Sequence, residues 1–126
     1  RRFKEMSNRM ARIYLNQIAV ARSGDKGDHV NIGVIARELR WFDVLRSALS
    51  LEVVEKSLGH LAKGGIEIFE LPGIGGINIM LYHSLQGGGT VALRLDAQGK
   101  TIGQSFLNAV ITVPHDFVIE NNLNYI

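Results

Sequence analysis

The spacing of apolar positions divides the chain into strands and helices before any single residue is weighed. Between Arg12 and Ala21, Tyr14, Ile18 and Val20 share one face, with Asn16 the polar exception, and Ile13 and Leu15 share the other. That pattern predicts a strand with apolar character on both sides, as in the interior of a sheet. Val30–Ala36 is a β-branched run and predicts a second strand, in which Gly33 marks a bulge or a close backbone approach. Trp41, Leu45, Ala48 and Leu49 then recur at helical spacing. Ser50 is placed to cap the following helix, with Glu52 in its first turn. Leu51, Val54, Leu58 and Leu61 form that helix's apolar stripe, and Gly64-Gly65 supplies a left-handed stop.

The strand pattern resumes at Ile66–Leu71, and Pro72–Gly76 is a turn whose glycines permit positive φ. Ile77, Ile79, Leu81, His83 and Leu85 alternate with Asn78, Met80, Tyr82 and Ser84, which places His83 on an inward face as a buried, satisfied histidine. Gly87-Gly88-Gly89 breaks this strand as a flexible connection. Val91, Leu93 and Leu95 mark the next strand, and Asp96–Lys100 the turn after it. Ile102, Phe106, Ala109 and Val110 predict a last helix over Lys100–Val110, followed by a short strand Ile111–Val113 that Pro114 ends. Paired strands punctuated by two helical regions predict an α+β domain, a mostly antiparallel sheet with helices on one face. The expected organisation is a flexible tail at 1–10, one domain over 11–114 and a tail at 115–126. Phe117, Val118, Ile119, Leu123 and Ile126 make that last segment apolar enough to dock on a neighbour.

A chain of 126 residues can bury one core without staples. It contains no cysteine, which fits a cytoplasmic location and removes thiolate metal sites. No apolar run approaches the about 20 residues needed to span a bilayer. Arg1, Arg2, Lys4 and Glu5 account for the whole net charge of +2. The rest of the chain is neutral and carries no basic footprint for nucleic acid. Met6 reads as a native start, with residues 1–5 an addition or an upstream remnant.

One stretch is far more polar than a turn requires. Arg22–Asn31 is read as a loop joining the first two strands, and it collects Arg22, Ser23, Gly24, Asp25, Lys26, Gly27, Asp28 and Asn31 as candidate ligand-binding residues. Gly24 and Gly27 would turn backbone amides towards an anion, Arg22 and Lys26 would pair its charge, and Asp25 and Asp28 would orient those cations. The spacing is not that of a P-loop. Asp25 and Asp28 with Asn31 or His29 offer a weak oxygen set for Mg²⁺ or Ca²⁺, and no metal is assigned. The alternative is a purely structural loop, an Arg/Lys–Asp network bracing a tight bend. His60, at a helix end, is a candidate acid or base, or else a residue bonding helix carbonyls. The four histidines are scattered, which argues against zinc. No catalytic residue is assigned, and enzyme activity is left open.

Arg22–Asp28 followed by Asn31–Arg37 resembles the AtuA-like family, named for acyclic terpene utilisation. The likeness continues in Gly59-His60-Leu61, Glu70–Gly73, Gly87–Gly89 and Leu93–Asp96 with Gly99-Lys100, over most of Ile13–Pro114. The resemblance implies a ferredoxin-like sandwich and a place in the breakdown of branched acyl compounds through coenzyme A thioesters, which are then the ligand to expect. No cofactor is identified. In many relatives this domain follows a larger one, so the expected partner is a larger AtuA-type catalytic domain or subunit, met by a small subunit or stand-alone module. The competing expectation is a non-catalytic oligomerisation module. Homo-oligomers fit either reading, and neither nucleic acid nor membrane is an expected partner.

Overall fold

The computed structural model describes residues 9–83 and 102–126. Two antiparallel sheets carry the fold. β1 (Met10–Tyr14) pairs with β6 (Val110–Pro114), matching Ala11 to Val113 and Ile13 to Ile111. β2 (Ala19–Lys26), β3 (His29–Ala36), β5 (Gly76–Leu81) and β4 (Ile66–Leu71) form a second sheet in that spatial order. The α+β class and the antiparallel pairing are as predicted.

The first predicted strand is split. A 3₁₀ turn at Leu15–Gln17 separates β1 from β2 and moves the chain from one sheet to the other. Leu15 and Ile18 are both fully buried. Residues three apart eclipse in a 3₁₀ turn, so both enter the core, whereas a continuous strand would have sent them to opposite faces. Asn16, the polar exception in the pattern, stands exposed at the turn.

The two helices predicted after β3 form as α1 (Phe42–Ala48) and α2 (Leu51–Leu58). Ser50 caps α2 as expected, its Oγ accepting the Val53 N–H at 3.3 Å. Trp41, Leu45, Ala48, Leu49, Val54 and Leu58 are buried. Gly65 has the positive φ of the predicted stop, 103°, and Gly75 ends the Pro72 turn at φ 66°. α3 (Ile102–Phe106) is shorter than the helix predicted over Lys100–Val110. It packs on β2 and β3, while α1 meets β3 and α2 meets β4. The helices therefore cover the sheet's inner side, where Val30, Ile32, Val34, Ile77, Ile79 and Leu81 are buried.

The predicted C-terminal tail folds back on its own domain. α4 (His115–Glu120) buries Val118 and sets Phe117 edge-on to Trp41, ring centroids 5.5 Å apart. The Ile126 N–H donates to the Arg12 carbonyl at 3.0 Å, which ties the terminus to β1. The predicted Gly87–Gly89 break, the strand Val91–Leu95 and the turn Asp96–Lys100 lie outside the described residues, as do residues 1–5.

Candidate functional site

The polar stretch Arg22–Asn31 is not a loop. Arg22 to Lys26 continue β2, and each pairs with a residue of β3, from Arg22 with Gly33 to Lys26 with His29. Only Gly27-Asp28 forms the turn, and Gly27 has φ 64°. A glycine at the first central position supplies the backbone of a two-residue II′ turn, whose twist matches the strands it joins. The anion nest expected from Gly24 and Gly27 does not form, because Gly24 is ordinary extended backbone opposite Asn31.

Pairing sorts the hairpin residues onto two faces. Ser23 and Asp25 sit opposite the buried Ile32 and Val30, and Ser23 Oγ accepts the Gly103 N–H of α3 at 3.2 Å. The other face looks away from the helices and is built in rows across the sheet. One row is Val20, Ile35, Gly76 and Leu71; the next is Arg22, Gly33, Asn78 and Phe69. A third is Gly24, Asn31, Met80 and Glu67, where Asn31 donates to Asn78 Oδ1 at 3.1 Å. Arg22 and Asp25 are exposed, and among the described residues neither makes an ion pair. The Arg–Asp brace is therefore absent at these two residues.

Gly33 is unexplained by the fold alone. Its pairing runs unbroken to β2 and β5, so it marks no bulge. Its φ is not positive, and a β-carbon there would meet nothing within 4 Å among the described residues. The missing side chain leaves an opening between Arg22 and Asn78, of the kind that admits close approach to backbone.

At the hairpin tip the structure gathers residues that sequence spacing left apart. β5 ends at Leu81, opposite Val30, so Tyr82 and His83 arrive beside the turn. His83 leaves the predicted inward alternation through φ 56°, a left-handed conformation that histidine tolerates better than most residues. Holding it costs about 1–3 kcal/mol. Its side chain is half exposed rather than buried. His83 Nδ1 lies 2.8 Å from Asp28 Oδ2, and His29 Nδ1 lies 3.3 Å from Asp28 Oδ1. The His83 N–H also donates to His29 Nδ1 at 3.2 Å. Among the described side chains Asp28 thus engages two histidines and not Arg22, which it was expected to orient; the side chain of Lys26, the other expected cation, lies outside the described ones. The hydrogen bond from His83 holds the Asp28 carboxyl below the ordinary carboxylate range, and the charges of His83 and His29 add to the effect when those rings are protonated.

Neighbouring groups fix the histidines in place. His29 packs edge-on against both Tyr82 and His83, ring centroids 5.1 Å apart in each case. Tyr82 donates to Glu67 Oε1 at 2.6 Å, a bond that raises the phenol's pKa. The Gly64 N–H donates to the Tyr82 carbonyl at 2.8 Å, and the Tyr82 N–H donates to the Gly65 carbonyl at 2.9 Å. A β-carbon on Gly64 would lie 2.2 Å from Cδ2 of His83, so the imidazole occupies the place of that missing side chain. With Nδ1 donating to Asp28, the neutral form of the His83 ring leaves Nε2 as an acceptor with no partner among the described residues. This is the arrangement of a carboxylate-oriented base. His60 stands apart, exposed in a 3₁₀ turn after α2 with no polar partner among the described residues. The only sequence signal for the Asp28–His83 pairing was the hairpin register, and that required knowing which strand lies beside β3.

The family model of the AtuA ferredoxin-like domain matches residues 13–112. That span runs from β1 to β6 and includes every residue of the hairpin cluster. No curated protein and no solved structure matches the chain.

Proposed function

The chain belongs to the AtuA ferredoxin-like domain family, and from that premise we propose that it is a ligand-binding module of an AtuA-type system acting on branched acyl compounds, acyclic terpenes among them. The outer sheet face beside the β2–β3 hairpin receives the anionic end of the ligand, a carboxylate or the phosphates of a coenzyme A thioester. The observation that carries this reading is the opening at Gly33, flanked by Asn78 and by Arg22, which makes no ion pair among the described residues. An exposed guanidinium offers a planar fork for a carboxylate or phosphate, and the Asn31–Asn78 amides offer neutral polar contacts beside it. Calorimetric titration with coenzyme A, a branched acyl-CoA and the matching free acid, all with chelator present, tests it. Saturable binding that Arg22→Ala weakens at least tenfold is expected. Heats indistinguishable from dilution for all three would remove the reading.

A second reading is favoured by the far end of the same face. Val20, Phe69 and Leu71 are each more than two-fifths exposed, and Ile74 beside them is 58% exposed. Such an apolar strip suits burial against a larger AtuA-type domain or a second copy of this chain. Mass measurement in solution, alone and with the larger component, decides whether that face is covered.

A further inference from the structure

We propose that Asp28, His29 and His83 form a site for one divalent transition-metal ion, with Zn²⁺ the best fit to the donor set. Two imidazole nitrogens and one carboxylate oxygen are the ligands of borderline-soft metals, whereas Mg²⁺ and Ca²⁺ require shells of oxygen. One donor atom from each residue lies within 4.8 Å of the other two. Donors bonded at Zn²⁺ distances in a tetrahedron stand roughly 3.3 Å apart. The observed separations, 3.3 Å from Asp28 Oδ1 to His29 and 2.8 Å from Oδ2 to His83, lie at that spacing and about half an ångström below it. Side-chain adjustment is enough to seat an ion.

The hydrogen bonding around His29 also favours a cation there. Its Nδ1 accepts the His83 N–H, so in the neutral ring that nitrogen carries no proton. Asp28 Oδ1 then faces an acceptor at 3.3 Å, with nothing positive between the two. A metal ion placed against both replaces that repulsion with coordination and takes over the Nδ1 lone pair. His83 passes its proton from Nδ1 to Nε2 when Nδ1 turns to the metal, so the neutral ring releases none. The frame is already built: Gly64 leaves room for the His83 ring, and the two-residue turn holds Asp28. Three protein ligands leave a fourth position open on a side where all three residues are partly exposed, so water or an external oxygen ligand completes the site.

This site does not depend on the anion-binding reading, and its test uses metal alone. Chelator-stripped protein spanning all 126 residues is titrated with ZnCl₂ by calorimetry and with Co²⁺ by visible absorption. One equivalent of Zn²⁺ and the intense visible bands of low-coordinate Co²⁺ are expected. His83→Ala, His29→Ala and Asp28→Asn should each weaken binding at least tenfold, while His60→Ala and His115→Ala should not change it. Circular dichroism confirms that each variant is folded, and the three separate ligand variants keep the test valid if one of them is not. No saturable one-equivalent binding would overturn the site, as would equal affinity in folded His83→Ala and His29→Ala proteins.

Discussion

At Gly64 a β-carbon would lie 2.2 Å from His83 Cδ2 and 3.0 Å from Tyr82 Cβ; at Gly33 it would meet nothing within 4 Å among the described residues. The same residue type is thus explained by packing in one place and left unexplained by it in the other. Gly64→Ala should drive the His83 ring off Asp28 and destabilise the protein by about 1–3 kcal/mol. Denaturant titration and the His83 ring resonances would show both effects. Gly33→Ala should leave stability within about 0.5 kcal/mol or raise it slightly, while weakening any ligand that lies over β3. Asp28 offers a third check on metal-free protein. Its carboxyl should titrate below the ordinary range, and His83→Ala should return it upward, read by carbon NMR. The sign follows from the lowered value. The bond's contribution to stability is complete above the ordinary carboxyl range and is lost as the pH falls through the lowered one.

The hairpin and the capped helix differ in how far local sequence specifies them. Ser50 followed by Glu52 and an apolar stripe is a local signal, and α2 forms where that signal places it. Ser50→Ala should cost about 1 kcal/mol, measured by chemical denaturation. The β2–β3 hairpin was harder to see because its polar residues resemble a loop. Strands normally announce themselves by apolar alternation, but here one face is open and its rows are polar near the tip. Gly27 was legible as a turn residue, and Gly27→Ala should cost roughly 1–2 kcal/mol for the strained φ. The break between β1 and β2 was not legible. Leu15 and Ile18 fit strand alternation and three-residue spacing equally well, and only the second sheet decides between them.

Over the whole molecule, α4 closes one side of the core that the sequence offered to a neighbour. Removing residues 115–126 should uncover Trp41, Phe117's partner, and lower stability by about 2–5 kcal/mol, as for the loss of a large buried side chain. A thermal melt of the truncated chain checks this. By itself the sequence determined the α+β class, the helices after β3 with Val54 and Leu58 buried but not the stripe's Leu51, which is 47% exposed, the Ser50 cap, the turn glycines and the concentration of polar groups near Arg22–Asn31. Each of these rests on contacts among residues close in the chain, or on the periodicity of a single element. The tertiary structure alone decided that Asp28 meets His83, that Gly33 opens onto a sheet face turned away from the helices and left uncovered by the described residues, and that the C-terminal segment seals its own domain. Those features depend on which strand lies beside which. Pairing across 55 positions is set by packing of the whole core rather than by any local preference.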